Sequence, residues 1–451
     1  MNILIVSLHI DLFPSSYLGI RFMSSASESS SDTDRSLVES TGTRDIAVQI
    51  SGSRGKVYKE IHLWAETKLE CPVWSISVSR SGILCGCDDG SVVLLNSNLV
   101  RCLSIDAHGE SPVVHVGWAG DSLHFLSVGT DFTVKVWSFE STGASANSED
   151  PVTCVYALKQ AASIVSVCFH PFSFASSSVL VVDAKNNLSH TIFVLTGDRR
   201  IGVWTDGLFE RYESLSSKDV PVCMSASLKG YQTNSLSAST SETSVFVAVG
   251  TKAGDLVLYS YVQDRGIYYE GSISCRNRRG KFSDGTPVIS VVWTSKSEFF
   301  VATQDNRIRR VTVSVEGENK DRKIKLSVIQ KFRGHKSSNG EAPLAAFVLT
   351  PPFSSPILQC GSECGRIFVW RMDDDTKQKP NILQQVARKF KPSRARKASE
   401  SWQAAKTPDK LTAAAPAPWN PERGTIGGSC TVVATLAGYV RLFFSSPEKD
   451  S

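Results

Sequence analysis

The chain has 451 residues, 41% hydrophobic and 21% charged, and its 49 Lys and Arg against 44 Asp and Glu leave a net charge of only +5. This composition excludes a wholly disordered chain and a collagen-like repeat, and a mean hydropathy of -0.09 excludes a multi-span membrane protein. So small a charge over such a length names no nucleic-acid or membrane partner by itself, so any basic signal must be local.

From the N-terminus, residues 1–22 contain an apolar stretch that His9, Asp11 and Pro14 interrupt, with no basic leading segment. A signal peptide is the weaker expectation for it, and an upstream extension ahead of Met23 the blander one. Residues 24–40 are Ser-rich with scattered Asp and Glu and too few large apolar side chains to bury a core. The expectation is a disordered tail over 1–54, a folded domain over 55–446 and a short C-terminal tail over 447–451. The 11 cysteines mostly sit in apolar runs, as at Val167-Cys168-Phe169, and read as reduced thiols of a cytosolic core. Cys85 and Cys87, and Cys360 and Cys364, lack a second pair or a nearby His at metal spacing, so neither a metal nor a cofactor is expected.

After residue 55 the pattern becomes short runs of Val, Ile, Leu and aromatics bounded by Gly, Asp, Asn and Ser, which is all-β grammar. One frame recurs seven times: a turn-forming residue, then an apolar strand, then a large apolar residue six positions on. The frames run Asp89 to Leu95, Asp131 to Trp137, Asp198 to Trp204, Ala253 to Tyr259, Asp305 to Val311, Cys364 to Trp370 and Ala437 to Phe443. Two further apolar runs precede each. Frame ends lie 42, 67, 55, 52, 59 and 73 residues apart. The shortest spacing matches the roughly 40–45 residues of one WD-repeat blade, and the others require insertions.

On these frames the chain resembles WD-repeat propellers, which implies a seven-bladed all-β ring. In that family a His, a Ser or Thr, the turn Asp and the terminal Trp form a buried hydrogen-bonded set; His108, Ser127, Asp131 and Trp137 match it most fully. The third blade keeps Asp198 and Trp204, and the sixth keeps His335 and Trp370 with Cys364 in the Asp position. These residues are expected to be structural, not catalytic. The stretches VYKEIHLWAETKLECPVWSISV, FVAVGTKAGDLVLY, CRNRRGKF and VATQDNRIRRV further resemble the group of WD repeat-containing protein 44, Rab-binding proteins of recycling endosomes and their fungal and plant relatives. The resemblance implies a cytoplasmic, endosome-associated protein with a small GTPase among its partners.

In a propeller the frame turn and the link to the next blade share one face. Arg199, Arg200, Arg276, Arg278, Arg279, Lys281, Arg307 and Lys336 are expected there, as a basic surface for an acidic peptide or protein or an anionic membrane. Residues 380–410 add eight Lys and Arg against Glu400 and Asp409. Within them, 382–390 is expected to supply the sixth blade's outer strand or a short helix, and the rest a flexible loop near the same face. Ser399, three residues after Arg396, is a candidate phosphorylation site. Nucleic acid is disfavoured because only Phe282, Phe390 and Trp402 accompany the charge as candidate stacking aromatics.

No Gly-rich phosphate loop, GxSxG or HExxH occurs, so the expected function is a non-enzymatic interaction scaffold in membrane trafficking or signalling. The alternative is a subunit or substrate receptor of a large cytosolic or nuclear complex without a membrane role. Residues 56–64, which alternate apolar and polar, are expected to close the ring as the outer strand of the seventh blade.

Overall fold

In the computed structural model the described residues are 46–48, 50–51, 58–120, 122–139, 152–170, 191–216, 219–227, 231–232, 243–262, 265–276, 286–295, 297–316, 323–333, 343–349, 356–372, 396–406, 408–420 and 425–447. Every regular element among them is a β-strand, and no helix is long and apolar enough to cross a membrane. The strands form seven antiparallel sheets, the blades of a seven-bladed propeller.

Blade one consists of Val73–Ser79, Gly82–Cys87, Ser91–Leu95 and Arg101–Asp106, from inner to outer. Blade two is Val113–Trp118, His124–Gly129, Thr133–Phe139 and Val152–Lys159; blade three is Ile164–Phe169, Thr191–Thr196, Arg200–Thr205 and Leu208–Ser214. Blade four is Pro221–Ala226, Thr243–Thr251, Asp255–Val262 and Gly266–Ser274. Blade five is Val288–Ser295, Glu298–Thr303, Arg307–Glu316 and Lys323–Arg333, with Arg396–Lys397 added in parallel outside. Blade six is Pro343–Leu349, Ile357–Ser362, Arg366–Arg371 and Glu400–Gln403, with Ile50–Ser51 outside. Blade seven is Leu411–Asn420, Thr425–Thr435 and Tyr439–Pro447, completed by Tyr58–Lys68 and edged by Ile46–Ala47.

The second strand of each blade reads as a short apolar run because both its faces are covered. Val245, Phe246, Val247, Ala248 and Val249 are all fully buried. Seven hydrophobic clusters fill the seven spaces between neighbouring sheets, and the one joining blade seven to blade one packs Val432, Ala434 and Leu442 against Val73, Ile83 and Cys85. The core is therefore a ring with no open interface.

Closure follows the sequence expectation and extends it. Tyr58–Lys68 pairs antiparallel with Tyr439–Pro447 from Tyr58↔Pro447 to Lys68↔Tyr439. Buried polar bonds fasten it: the Tyr58 hydroxyl accepts from Gln359, Thr431 donates to Gln359 Oε1 at 2.9 Å, and the Tyr58 backbone N–H donates to the buried Glu400 carboxylate at 3.2 Å. The Ile46–Ala47 and Ile50–Ser51 pairs fall inside the stretch expected as tail, while 1–45 lie outside the described residues.

Two expectations for 380–410 are corrected. The outer strand of blade six is Glu400–Gln403, paired with Arg366–Val369, rather than 382–390, which lie outside the described residues. The C-terminal half of the basic stretch is not a free loop either. Trp402 is 1% exposed and packs against Phe443 at 4.7 Å between ring centroids, so it is a core residue and no stacking platform.

Frame turns and interblade links do share one face. The carbonyls of Gly90, Phe132, Arg199, Gly254 and Gly365, all at frame turns, accept backbone N–H groups of the following links, such as His108 on Gly90 at 3.0 Å and Cys275 on Gly254 at 2.8 Å. At Gly90 this approach tolerates no side chain: φ is +84°, and a Cβ would lie 1.7 Å from the Gly109 carbonyl oxygen.

Candidate functional site: the frame-turn face

Blade two assembles the four residues matched in the sequence. The Trp137 indole N–H donates to Ser127 Oγ at 2.9 Å, Ser127 Oγ lies 2.8 Å from His108 Nε2, and His108 Nδ1 lies 3.2 Å from both carboxylate oxygens of Asp131. One tautomer satisfies the chain: Ser127 donates to Nε2, and protonated Nδ1 donates to Asp131. Burial is the main reason that His108 is held below its ordinary pKa, against the pull of Asp131. For Asp131, burial alone acts upward, but the Thr133 hydroxyl and N–H, with His108, outweigh it and hold the carboxyl down. A neutral imidazole on a carboxylate, with its other nitrogen on a buried serine, fastens the blade-two turn to its strands.

The remaining blades show what this set requires. The position of Ser127 is taken by Cys85, Val194, Val249, Val301, Cys360 and Val433, all buried. Where a Trp still ends the frame, as at Trp204 and Trp370, its buried indole N–H has no partner because Val194 and Cys360 offer no hydroxyl at that site. A second device holds these turns. Thr196 donates to Asp198 at 2.5 Å and Thr303 to Asp305 at 2.6 Å, while Thr251 and Thr435 accept the backbone N–H of Asp255 and Tyr439. This threonine two residues before the frame position escaped the sequence reading, although its recurrence is visible once the frames are aligned. His335 lies outside the described residues.

The basic residues divide likewise. Arg278, Arg279, Lys281 and Lys336 lie outside the described residues. The rest are engaged at the frame turns. Arg200 Nε sits 3.5 Å from Asp198, Arg307 Nε 3.3 Å from Asp305, and Arg276 lies 2.6 Å from Asp255 and 3.6 Å from Asp219. Arg199 takes the left-handed conformation, φ +67°, and its carbonyl accepts the N–H of Leu215. Glu298 binds Arg310 bidentately at 2.7 and 3.0 Å. The pairs at Arg200 and Arg307 follow a simple signal, an Arg two residues after the frame Asp across a tight turn. Pairing aims these guanidiniums without covering them: Arg200 and Arg276 side chains remain 52% and 45% exposed.

Ser399 is half-buried, and its backbone N–H donates to the Val369 carbonyl at 2.8 Å while Ala398 N–H donates to Arg333. Cys71, Cys87 and Asp89 place three metal-competent atoms within 4.8 Å of one another on the frame-turn face of blade one. Burial raises both thiols above the ordinary cysteine value, which favours the protonated state over the thiolate a metal needs.

The architecture defines the class: a seven-bladed β-propeller, a fold typical of non-enzymatic protein-interaction scaffolds. No protein-family model and no curated protein matches the chain.

Proposed function

We propose that this propeller is a non-enzymatic interaction platform of the WD-repeat type, related to the group of WD repeat-containing protein 44 and acting in membrane trafficking or signalling. Its frame-turn face binds an acidic protein segment or an anionic headgroup. The observation supporting this is the ordered exposure of Arg200 and Arg276: each guanidinium is oriented by an aspartate yet keeps about half its surface in solvent. An oriented fork loses less freedom when it grips a carboxylate or phosphate than a free one does.

The test is binding of the intact chain to anionic liposomes and to an acidic peptide at low and raised salt, beside Arg200→Glu/Arg276→Glu. Reduced binding that converges with the parent's as salt rises supports the reading. Equal binding by parent and variant at low salt refutes it. Stoichiometric capture in a large complex, with no liposome binding, would favour a complex subunit without a membrane role.

A further inference from the structure

A second concentration of charge begins at the frame turn of blade five and spreads across its three outer strands. Its three outermost strands carry cations in register: Arg307 opposite Arg333, Arg333 opposite Lys397, and Arg309 opposite Lys331. Directly opposed residues share a sheet face, as do residues two apart along a strand, so all five rise from one face. The intervening Ile308 and Phe332 confirm this by packing to the other side, in the cluster shared with blade six. Farther down the strand Val311 and Val313 pack against blade four, so the cations look toward that side.

This arrangement works against the sheet. Like charges directly opposite one another destabilise a strand pair. Among the described residues these five cations have one ion-pair contact with a carboxylate, that of Arg307 with Asp305. Among the described residues no acidic group lies within ion-pair distance of Lys331, Arg333 or Lys397, and all three are exposed. Arg307 is held below its ordinary pKa by burial first, with Arg333 and Arg309 adding repulsion. Arg309 is 4% exposed and donates to Thr303 Oγ1 at 2.8 Å, so it supplies field from behind instead of contact.

Shape narrows the ligand. Strands lie about 4.8 Å apart and alternate residues about 7 Å apart along a strand, so the charges form a compact two-dimensional array of two rows. An extended acidic peptide sets its same-face carboxylates along one line and matches only one row. A small ring bearing several phosphates offers anions in two dimensions at comparable spacing. We propose that this face of blade five binds a multiply phosphorylated small polyanion of the inositol-phosphate class, with Arg307, Lys331, Arg333 and Lys397 in contact. The proposal deepens the anion-binding reading above by naming a ligand class, and it rests on residues outside the Arg200 and Arg276 pair.

The soluble arm titrates the intact chain with inositol hexakisphosphate at physiological salt. The membrane arm uses phosphatidylcholine vesicles with and without phosphatidylinositol 4,5-bisphosphate. Saturable binding is expected in at least one arm: vesicle binding identifies a lipid headgroup as source, and soluble binding alone identifies a free metabolite. Lys331→Ala/Arg333→Ala should weaken binding about tenfold with a melting temperature no lower than the parent's, whereas Arg200→Ala should leave it intact. If the double variant unfolds, Lys331→Ala alone, at an exposed position, should still weaken it about threefold. Absence of binding in both arms overturns the proposal, as do equal losses in Arg200→Ala or displacement of the hexakisphosphate by an equally charged poly-glutamate. Acidic-peptide binding lost in Arg200→Glu/Arg276→Glu, together with hexakisphosphate binding unaffected by Lys331→Ala/Arg333→Ala, would uphold the frame-turn reading while refuting this one.

Discussion

Replacing Ser127 by Ala removes a single oxygen from blade two and orphans two groups at once. The Trp137 indole N–H loses its acceptor at 2.9 Å and His108 Nε2 its partner at 2.8 Å; Ser127 is 0% exposed, and both neighbours are 6% exposed. A buried polar group left without a partner costs about 1–3 kcal/mol, so orphaning two should destabilise the propeller by about 2–6 kcal/mol. Blades three and six bound the estimate from within the molecule. Trp204 and Trp370 already carry unpartnered indole N–H groups, so the fold tolerates one such loss per blade. Reversing the logic, Val194→Ser places a hydroxyl at the site equivalent to Ser127 for Trp204 and should cost less than its lost apolar burial, about 1–2 kcal/mol, implies. Both are measured as shifts of the urea midpoint followed by tryptophan fluorescence at neutral pH. A loss below about 0.5 kcal/mol for Ser127→Ala would show that the network contributes nothing net.

Burial holds His115 and His170 down to about 4. Their folded pKa lies below the unfolded value of about 6.5, so the stability they contribute is complete above that pH and lost as pH falls toward 4, by about 2 kcal/mol each after allowance for partial exposure. An NMR titration in which either ring changes charge near 6.5 would contradict this. Gly90→Ala should cost more than about 3 kcal/mol, because the positive φ and the Gly109 carbonyl both oppose a Cβ; a melting temperature within a degree or two of the parent's would refute it. Trp402→Ala should lose about 3–5 kcal/mol as a core truncation, and a near-neutral result would return Trp402 to the surface.

The blades were legible because each contains a turn, an apolar strand and a large terminal side chain at fixed offsets, and this period survives long insertions. The closing strand was legible from the alternation of KVYKEIHLW. What escaped was whatever lacks a period. Two-residue strands such as Ile50–Ser51 carry no pattern, and Glu400–Gln403 is a four-residue run whose Glu400 is buried where it accepts the Tyr58 backbone N–H. The charges of the frame-turn face could be located on their loops, but their pairing with Asp198, Asp255 and Asp305 depends on distances across turns. The rank on blade five needed register, since Arg333 and Lys397 are neighbours only through the parallel pairing of their strands.

The pairing of Lys68 with Tyr439 makes folding of this ring a question of order in time. About 370 residues of chain separate the partners, and closing a loop that long costs about 5 kcal/mol of chain entropy before the contact returns anything. The four main strands of blades one to six come from segments close in sequence and can pair as they leave the ribosome. The seventh waits for its four, which come from opposite ends of the domain. During that wait Val73, Ile83 and Cys85 have no partner sheet. The interval before blade seven forms is therefore when this protein is most exposed to aggregation and to chaperones, and a lesion in Tyr58–Lys68 should lengthen it more than one of equal cost in blade two.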